Sequence, residues 1–594
     1  MSRRFAKSCA LFAFSLVAAG SNTVAQSPFS FIKWRSIGPV NTGGRIDDIA
    51  VARVRGEPDA IYVATASGGL FKSANNGVSW SPVFDSVDAM MSIGAVAVAP
   101  SAPSTVWVGT GEANTRQSSS WGDGVYRSTD GGKTWSNMGL RDTRAIARIV
   151  IDPGNANNVY VAAQGHLWGP NADRGVFKTT DGGLTWKKTL FVDENTGATD
   201  LVIDPTNSQT LYAATYQHMR RTWGYNGGGV GSGIYKSTDG GNTWTKLGGG
   251  LPTGELGRIG ISLLPTDSRI VYATIEAHAP NSGIYRTLDG GVTWQKTSSL
   301  NSRPNYYSQI RIDPRSADRI YTLGSNRGFY FSNDSGKTFT ERFSDVHGED
   351  HALWVDPDNT NHLIIGGDGG VSISWDRGRT WDFRHNMPIG QFYEIDADNS
   401  VPFRVCGGLQ DNGVWCVPSA VRNRNGIADR DAWNIGGGDG FHAHFDPTNN
   451  SMVLQSSQNG NAAWVNIETL ERQGARPGTG DRPAAAGAGG VRGGRGGAAA
   501  AAPVGEGAAG GAVDGRGAGN RWNWDTPIVV SHHDPKTWFM GSQFLYKSTD
   551  RGSSWKKISG DLTLNADRDM LKMMGSVVPS DALSRHDGQT SYGS

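Results

Sequence analysis

A twelve-residue stretch, GVYRSTDGGKTW at residues 124–135, recurs along the chain and limits it to a few architectures. Close copies occupy residues 175–186, 233–244, 283–294 and 544–555, and looser ones residues 69–80, 328–339 and 370–381. The central aspartates Asp130, Asp181, Asp239, Asp289, Asp334 and Asp376 are separated by 51, 58, 50, 45 and 42 residues, and Asp550 belongs to the last copy. Periods of this size mark solenoids, propellers or arrays. The first half of each copy alternates, Val125 and Arg127 on one face and Tyr126 and Ser128 on the other, which is strand periodicity. Asp130-Gly131-Gly132 is turn chemistry: glycine accepts positive φ, and a short carboxylate accepts nearby backbone N–H groups. Thr134 and Trp135 then restart a strand. Upstream of the hairpin lie two further apolar runs, residues 149–153 and 159–162, repeated at 201–205 with 211–214 and at 310–314 with 320–323. Four short strands per unit, repeated radially, predict an all-β propeller whose tryptophans pack between neighbouring blades.

The S-x-D-x-G-x-T-W pattern resembles the Asp-box, or bacterial neuraminidase repeat. The chain as a whole resembles secreted bacterial Asp-box proteins described as sortilin-like (VPS10-like) or as BNR-repeat glycosyl hydrolases. That resemblance implies a structural role for Asp130, Asp181, Asp239, Asp289, Asp334, Asp376 and Asp550, as blade corners away from the ligand face.

Along the chain, residues 1–25 read as an export signal: Arg3, Arg4 and Lys7 precede a short apolar core, and Thr23-Val24-Ala25 offers a cleavage site. The core is too short to span a bilayer, and no later run is long and apolar enough. A secreted or periplasmic chain is expected. Its formal charge falls from +1 to −2 once those three basic residues leave, and nothing in that balance suggests nucleic acid. Units one to seven occupy residues 26–385 as a seven-bladed ring, and residues 386–472 read as the first blades of a second. Residues 473–520, mostly Gly, Ala, Arg and Pro, bury too little to order themselves and read as a disordered insertion. Residues 521–594 hold a further blade and a tail. The resemblance implies two rings of seven, so the chain reads as a fragment with seven blades plus about three; the competing count is one ring of ten. Cys406 and Cys416 either close a small disulfide loop or lie as buried thiols on facing strands.

Function in a propeller belongs to the ends of the inner strands and the loops between second and third strands. Trp121, Trp168, Arg220, Arg221, Trp223 and Tyr225 lie in three long loops of that kind and suit stacking on sugars or gripping an extended peptide. His347, Asp350 and His351 are a loose metal-ligand set without the spacing of a zinc hydrolase, so no metal and no cofactor are expected. Glycoside hydrolysis needs two carboxylates across the scissile bond. Two-propeller xyloglucanases place one in each ring, the first in a T-D-x-G-G-x-Tyr segment. Residues 65–71 match that segment with Ala66 in place of the aspartate, while Asp411 in Gln410-Asp411-Asn412-Gly413 retains the second. The expected function is therefore a binding module for a peptide, protein or polysaccharide. The alternative is a glycoside hydrolase using Asp411 with Asp439 or Glu349.

Overall fold

The computed structural model describes residues 35–38, 43–116, 119–324, 328–343, 347–478 and 519–588. The expected export signal and most of the Gly/Ala/Arg-rich segment lie outside these. Residues 1–36 separate from residues 37–594 by contacts, and the account below concerns the latter.

The described residues hold ten four-stranded antiparallel sheets, each an up-and-down meander, plus two two-stranded ribbons. In the first sheet Ile46–Ala52, Ala60–Thr65, Leu70–Ser73 and Ser81–Pro82 follow in order, and the last two are the arms of the first box copy. The chain is an all-β propeller. First strands of successive sheets stack side by side, from Ile46–Ala52 through Ile93–Ala99 and Ile146–Asp152 onward. The seventh first strand, Asp350–Val355, packs back on Ile46–Ala52, so the ends of this series meet. Ile46, Ile49 and Val63 share one apolar cluster there with Ala352, Ile364 and Val371. Fully burying an aliphatic side chain of this size contributes about 1.5–3 kcal/mol, which makes these inter-sheet seams the main adhesive of the fold.

The box works as its chemistry predicts. Ser128 Oγ donates to Asp130 Oδ1 and accepts from the Gly132 amide, while Asp130 accepts from the amides of Lys133 and Thr134 and from the Thr134 hydroxyl. The Thr134 hydroxyl and amide and the Ser128 hydroxyl hold the Asp130 carboxyl well below its ordinary value. Gly131 and Gly132 take φ of +74° and +90°, which the turn requires. Two kinds of contact then bind corners to their neighbours. The Tyr62 hydroxyl donates to the Gly131 carbonyl of the next sheet, and Tyr160 and Tyr212 repeat this on Gly240 and Gly290. Trp135 and Trp186 donate from Nε1 to the preceding sheet at Val83 and Met138, and Trp80 reaches Asn386, just past the seventh sheet. Trp294 departs from the pattern by bonding within its own turn, at Gly291.

Three more sheets follow the seventh: residues 392–436, 443–474 and 528–557. Cys406 and Cys416 face each other across the second and third strands of the eighth sheet and are disulfide-bonded, so facing strands and a covalent bond coexist. The Gly-rich segment begins later than its composition suggests. Arg472–Gly474 is the fourth strand of the ninth sheet, and buried Ala475 packs with Trp464, Trp522 and Trp538. Adjacent aromatic surface orders these residues; composition alone could not reveal it. Finally, residues 572–588 return to the loops of the fourth sheet: the Gly227 amide donates to the Leu583 carbonyl, and Met573 and Val578 pack on Met219 and Trp223.

Candidate active site

In an up-and-down sheet the turn between third and fourth strands, where the boxes lie, is at one end. The start of the first strand and the turn between second and third strands are at the other. That second end collects the titratable groups. Arg45 immediately precedes the first inner strand. Glu112, Asp368 and Asp411 occupy the turns between second and third strands of the second, seventh and eighth sheets, and Glu349 precedes the seventh inner strand.

Arg45 is the hub. Its Nε and Nη2 donate to both oxygens of Asp368, at 2.7 and 2.9 Å, Nη1 reaches Glu112 at 3.3 Å, and Nη2 reaches Asp411 at 2.5 Å. Arg116 Nε supports Glu112 at 2.9 Å. The Tyr306 hydroxyl donates to Asp368, and His351 Nε2 lies 2.8 Å from its other oxygen. The short helix Pro304–Tyr307 brings Tyr306 and Tyr307 against the His351 ring. Backbones meet tightly here: a Cβ at Gly43 would fall 2.8 Å from Gly370 Cα, so only glycine fits at position 43.

Arg45, Glu112, Asp368 and His351 are sealed from solvent, whereas the side chains of Glu349 and Asp411 are 14% and 16% exposed. Of these six side chains, the two that reach solvent are both carboxyls. Asp411 sits at φ +62°, a left-handed conformation that a short polar side chain tolerates. Asp439 fixes it there, accepting the Asp411 amide at 2.6 Å and the Trp524 indole N–H at 2.8 Å. Buried and committed to both donors, Asp439 positions Asp411 and is not itself available for acid–base work.

Carboxyls outnumber the buried arginines, and protons make up part of the difference. Burial and the nearby Asp368 charge push Glu349 up to about 8, although Arg303 lies 3.2 Å away. Burial, Asp439 and Asp368 push Asp411 well up against the pull of Arg45. Asp47 is raised by burial and Glu112. Burial would raise Asp368 as well, but Arg45 and His351 outweigh it and hold that carboxyl well below its usual range. The sealed Asp368 is thus held ionised, while Glu349, Asp411 and Asp47 are pushed toward their protonated forms.

The loose set His347, Asp350 and His351 does not come together as a group of three. His351 is turned to Asp368, and it is His347 that comes together with Glu349 and Asp411, their ligand atoms within 4.8 Å of one another. Asp350, at the head of the inner strand, is not in that group.

The aromatic platform is also partly rearranged. Trp121 is 62% exposed, with Arg144 stacked 5.4 Å from its ring, and Trp168 is exposed too, its carbonyl accepting from Arg221. Trp121 follows Ser120, whose amide donates to Glu112, so this ring belongs to the loop that feeds the cluster. Arg220 and Tyr225, however, are cross-strand partners in a ribbon and are buried together. The Tyr225 hydroxyl bonds to Tyr216, its amide donates to His586, and Trp223 packs on the returning C-terminal segment. The expectation of an exposed Arg220–Tyr225 surface is corrected: cover comes from a segment more than 300 residues away in sequence, beyond the reach of local patterning.

Arg45, Glu112, Asp368 and Tyr306 were not singled out by sequence reasoning. A signal existed: Ala66, Glu112, Asp368 and Asp411 all occupy the turn between second and third strands, and only alignment of those turns exposes the shared position. The Ala66 amide donates to the Arg45 carbonyl, so the residue that departs from the xyloglucanase pattern borders this cluster.

The Sortilin-Vps10 family model (sortilin, neurotensin receptor 3) matches residues 123–255 and 282–404. A xyloglucanase of Paenibacillus sp is 28% identical over 280 residues, covering 41% of this chain and 25% of the relative. A xyloglucanase of Hypocrea jecorina is 27% identical over 264 residues, covering 39% and 29%. The chain thus matches less than a third of the length of either curated relative. The structure of the GH74 xyloglucanase from Xanthomonas campestris aligns with TM-score 0.51 at 15% identity, covering 88% of this chain and 81% of that one, which bears on the fold alone. The expectation of a binding module is corrected by these relatives, which are glycoside hydrolases. Among the described residues, no helix is long and apolar enough to cross a membrane.

Proposed function

We propose that this Asp-box β-propeller protein is a glycoside hydrolase acting on a polysaccharide of the xyloglucan type. The observation that carries the reading is the pair Glu349 and Asp411, the accessible carboxyls of a sealed network, close enough to address one glycosidic bond. Hydrolysis requires a proton donor to the leaving oxygen and a second carboxyl on the reacting carbon or its attacking water. Glu349, pushed up to about 8, keeps its proton at neutral pH and suits the donor. Asp411, gripped by Arg45 and oriented through Asp439, takes the second role in its ionised form, which Arg45 favours and which burial, Asp439 and Asp368 oppose. In this reading Glu349 supplies, from the seventh sheet, the carboxyl that position 66 lacks. Trp121, on the Glu112 loop, offers a face on which a sugar ring stacks. The pair stands where a seven-sheet ring gives way to three sheets that we read as part of a second ring. Export, supported by the leader-like residues 1–25, would deliver the protein to such a polymer.

The test is reducing-end release from xyloglucan, other β-glucans and aryl β-glucosides by the purified chain. Glu349→Gln and Asp411→Asn are each expected to lower kcat by about 10²–10⁴-fold, and Trp121→Ala to raise KM with little change in kcat. Turnover unaffected by either carboxyl substitution, or tight glycan binding with no hydrolysis, would overturn the proposal.

A further inference from the structure

A second polar cluster lies apart from the first, on the inner strands of the eighth and ninth sheets. Phe392–Ala397 and Ala443–Asp446 pack side by side. Strand periodicity puts His442, just before the second of these, and His444 on one face, toward Glu394 of the first. His442 Nδ1 lies 2.8 Å from Glu394 Oε2, and His444 Nε2 lies 3.8 Å from the same oxygen. All three ligand atoms fall within 4.8 Å of one another.

Hydrogen-bond bookkeeping makes this more than proximity. His442 Nε2 lies 3.0 Å from the Thr526 carbonyl, which can only accept, so Nε2 carries a hydrogen. Nδ1 then faces a carboxylate oxygen at 2.8 Å, a contact that needs a proton or a metal cation between the two acceptors. His444 Nε2, hidden from solvent, has no hydrogen-bond partner among the described residues, and neither has Asp525 Oδ1, 3.5 Å from His442 Nε2. A ring nitrogen donating to a backbone carbonyl while its opposite nitrogen points at a shared centre is the arrangement that orients metal-binding histidines. Glu394, whose side chain is 49% exposed, leaves an approach from solvent.

We propose that Glu394, His442 and His444 form a binding site for a borderline divalent cation, Zn²⁺ first among them, with a fourth position open to water or a ligand. Two imidazoles and one carboxylate are the donor set that zinc accepts, at roughly 2.0–2.2 Å. Tetrahedral ligands at that radius stand about 3.3 Å apart, so the 2.8 Å contact opens and the 3.8 Å contact closes by about half an ångström each. Thr526 and Asp525, just before the tenth sheet, supply the outer support of His442.

The site is tested with the full chain, stripped with EDTA and titrated with Zn²⁺ by calorimetry, with Co²⁺ absorption as a second readout. Wild type is expected to bind one equivalent at this site. Glu394→Gln and His444→Ala should each weaken that binding at least tenfold while leaving the metal-free melting curve unchanged. His347→Ala serves as control for the cluster beside Glu349 and should leave this binding intact. If His444→Ala does not fold, Glu394→Gln decides alone, since that side chain is half in solvent. No saturable binding by wild type, binding insensitive to Glu394→Gln, or binding abolished by His347→Ala alone would overturn the assignment.

Discussion

The first seven sheets and the three that follow share one strand order yet treat polar groups on their inner strands in opposite ways. In the seven, Arg148 spans the interior, donating to Asp48, Asp200 and Gln309 from three other inner-strand positions. Each carboxylate is completed by a backbone amide, Val96 on Asp48 and Ile261 on Asp200. Asp48 and Asp200 are nearly closed off, and Arg311 beside Arg148 brings a second cation to the two carboxylates. In the three, Phe392–Ala397 runs largely exposed, with Ile395 two-thirds open, and Glu394, His442 and His444 converge without a cationic side chain to satisfy them. A series of sheets whose ends meet can enclose charge and must neutralise it. Where the inner strands stay open, water bears the cost and groups can keep unspent donor capacity. The proposed catalytic pair stands at the junction, held by sealed residues on one side and reaching solvent on the other.

Substitutions separate these regimes. Arg148→Met removes the side chain bonded to two buried carboxylates and is expected to cost about 3–5 kcal/mol, read as a lower urea midpoint. Glu394→Gln should cost under about 0.5 kcal/mol; equal losses would break the contrast between enclosed and open strands. Cys406→Ser with Cys416→Ser reopens a loop of sequence separation 10, worth about 2–3 kcal/mol by chain entropy. That loss should fall on the later sheets, seen as a lowered first transition in calorimetry with the second unmoved. The junction has a pH signature. Glu349 titrates near 8 when folded and at an ordinary glutamate value when unfolded, so the folded state holds the extra proton between about 4.3 and 8. Its stabilising contribution is complete below that window and is lost as pH rises through it, by at most about 1.4 kcal/mol for each pH unit. Stability curves at pH 5 and 8 should converge in Glu349→Gln, and activity should fall above pH 8. A small effect belongs to the seam: Trp80→Phe removes the indole bond to Asn386 and should cost about 0.5–1 kcal/mol by thermal melt.

Legibility in the sequence followed the range of the interactions. The box is local: Ser128, Asp130, Gly132 and Thr134 satisfy one another within seven residues, so their roles could be read directly. Asp411 was found through the resemblance of residues 410–413 to a xyloglucanase segment, which a short stretch of sequence can carry. Arg45 was given no site role because its meaning depends on Asp368 and Asp411, 323 and 366 residues onward. Tyr225 was misjudged for the same reason, since its cover comes from His586.

The sequence by itself determined the repeating unit, the all-β propeller and the end of each sheet that carries the boxes. Those follow from strand periodicity and turn stereochemistry, which act over a dozen residues. Only the tertiary structure decided which carboxyls are sealed and which reach solvent, which histidines face one another, and which loop aromatics are covered. Desolvation and charge pairing act through space, and a chain that returns on itself brings together residues that no local pattern links.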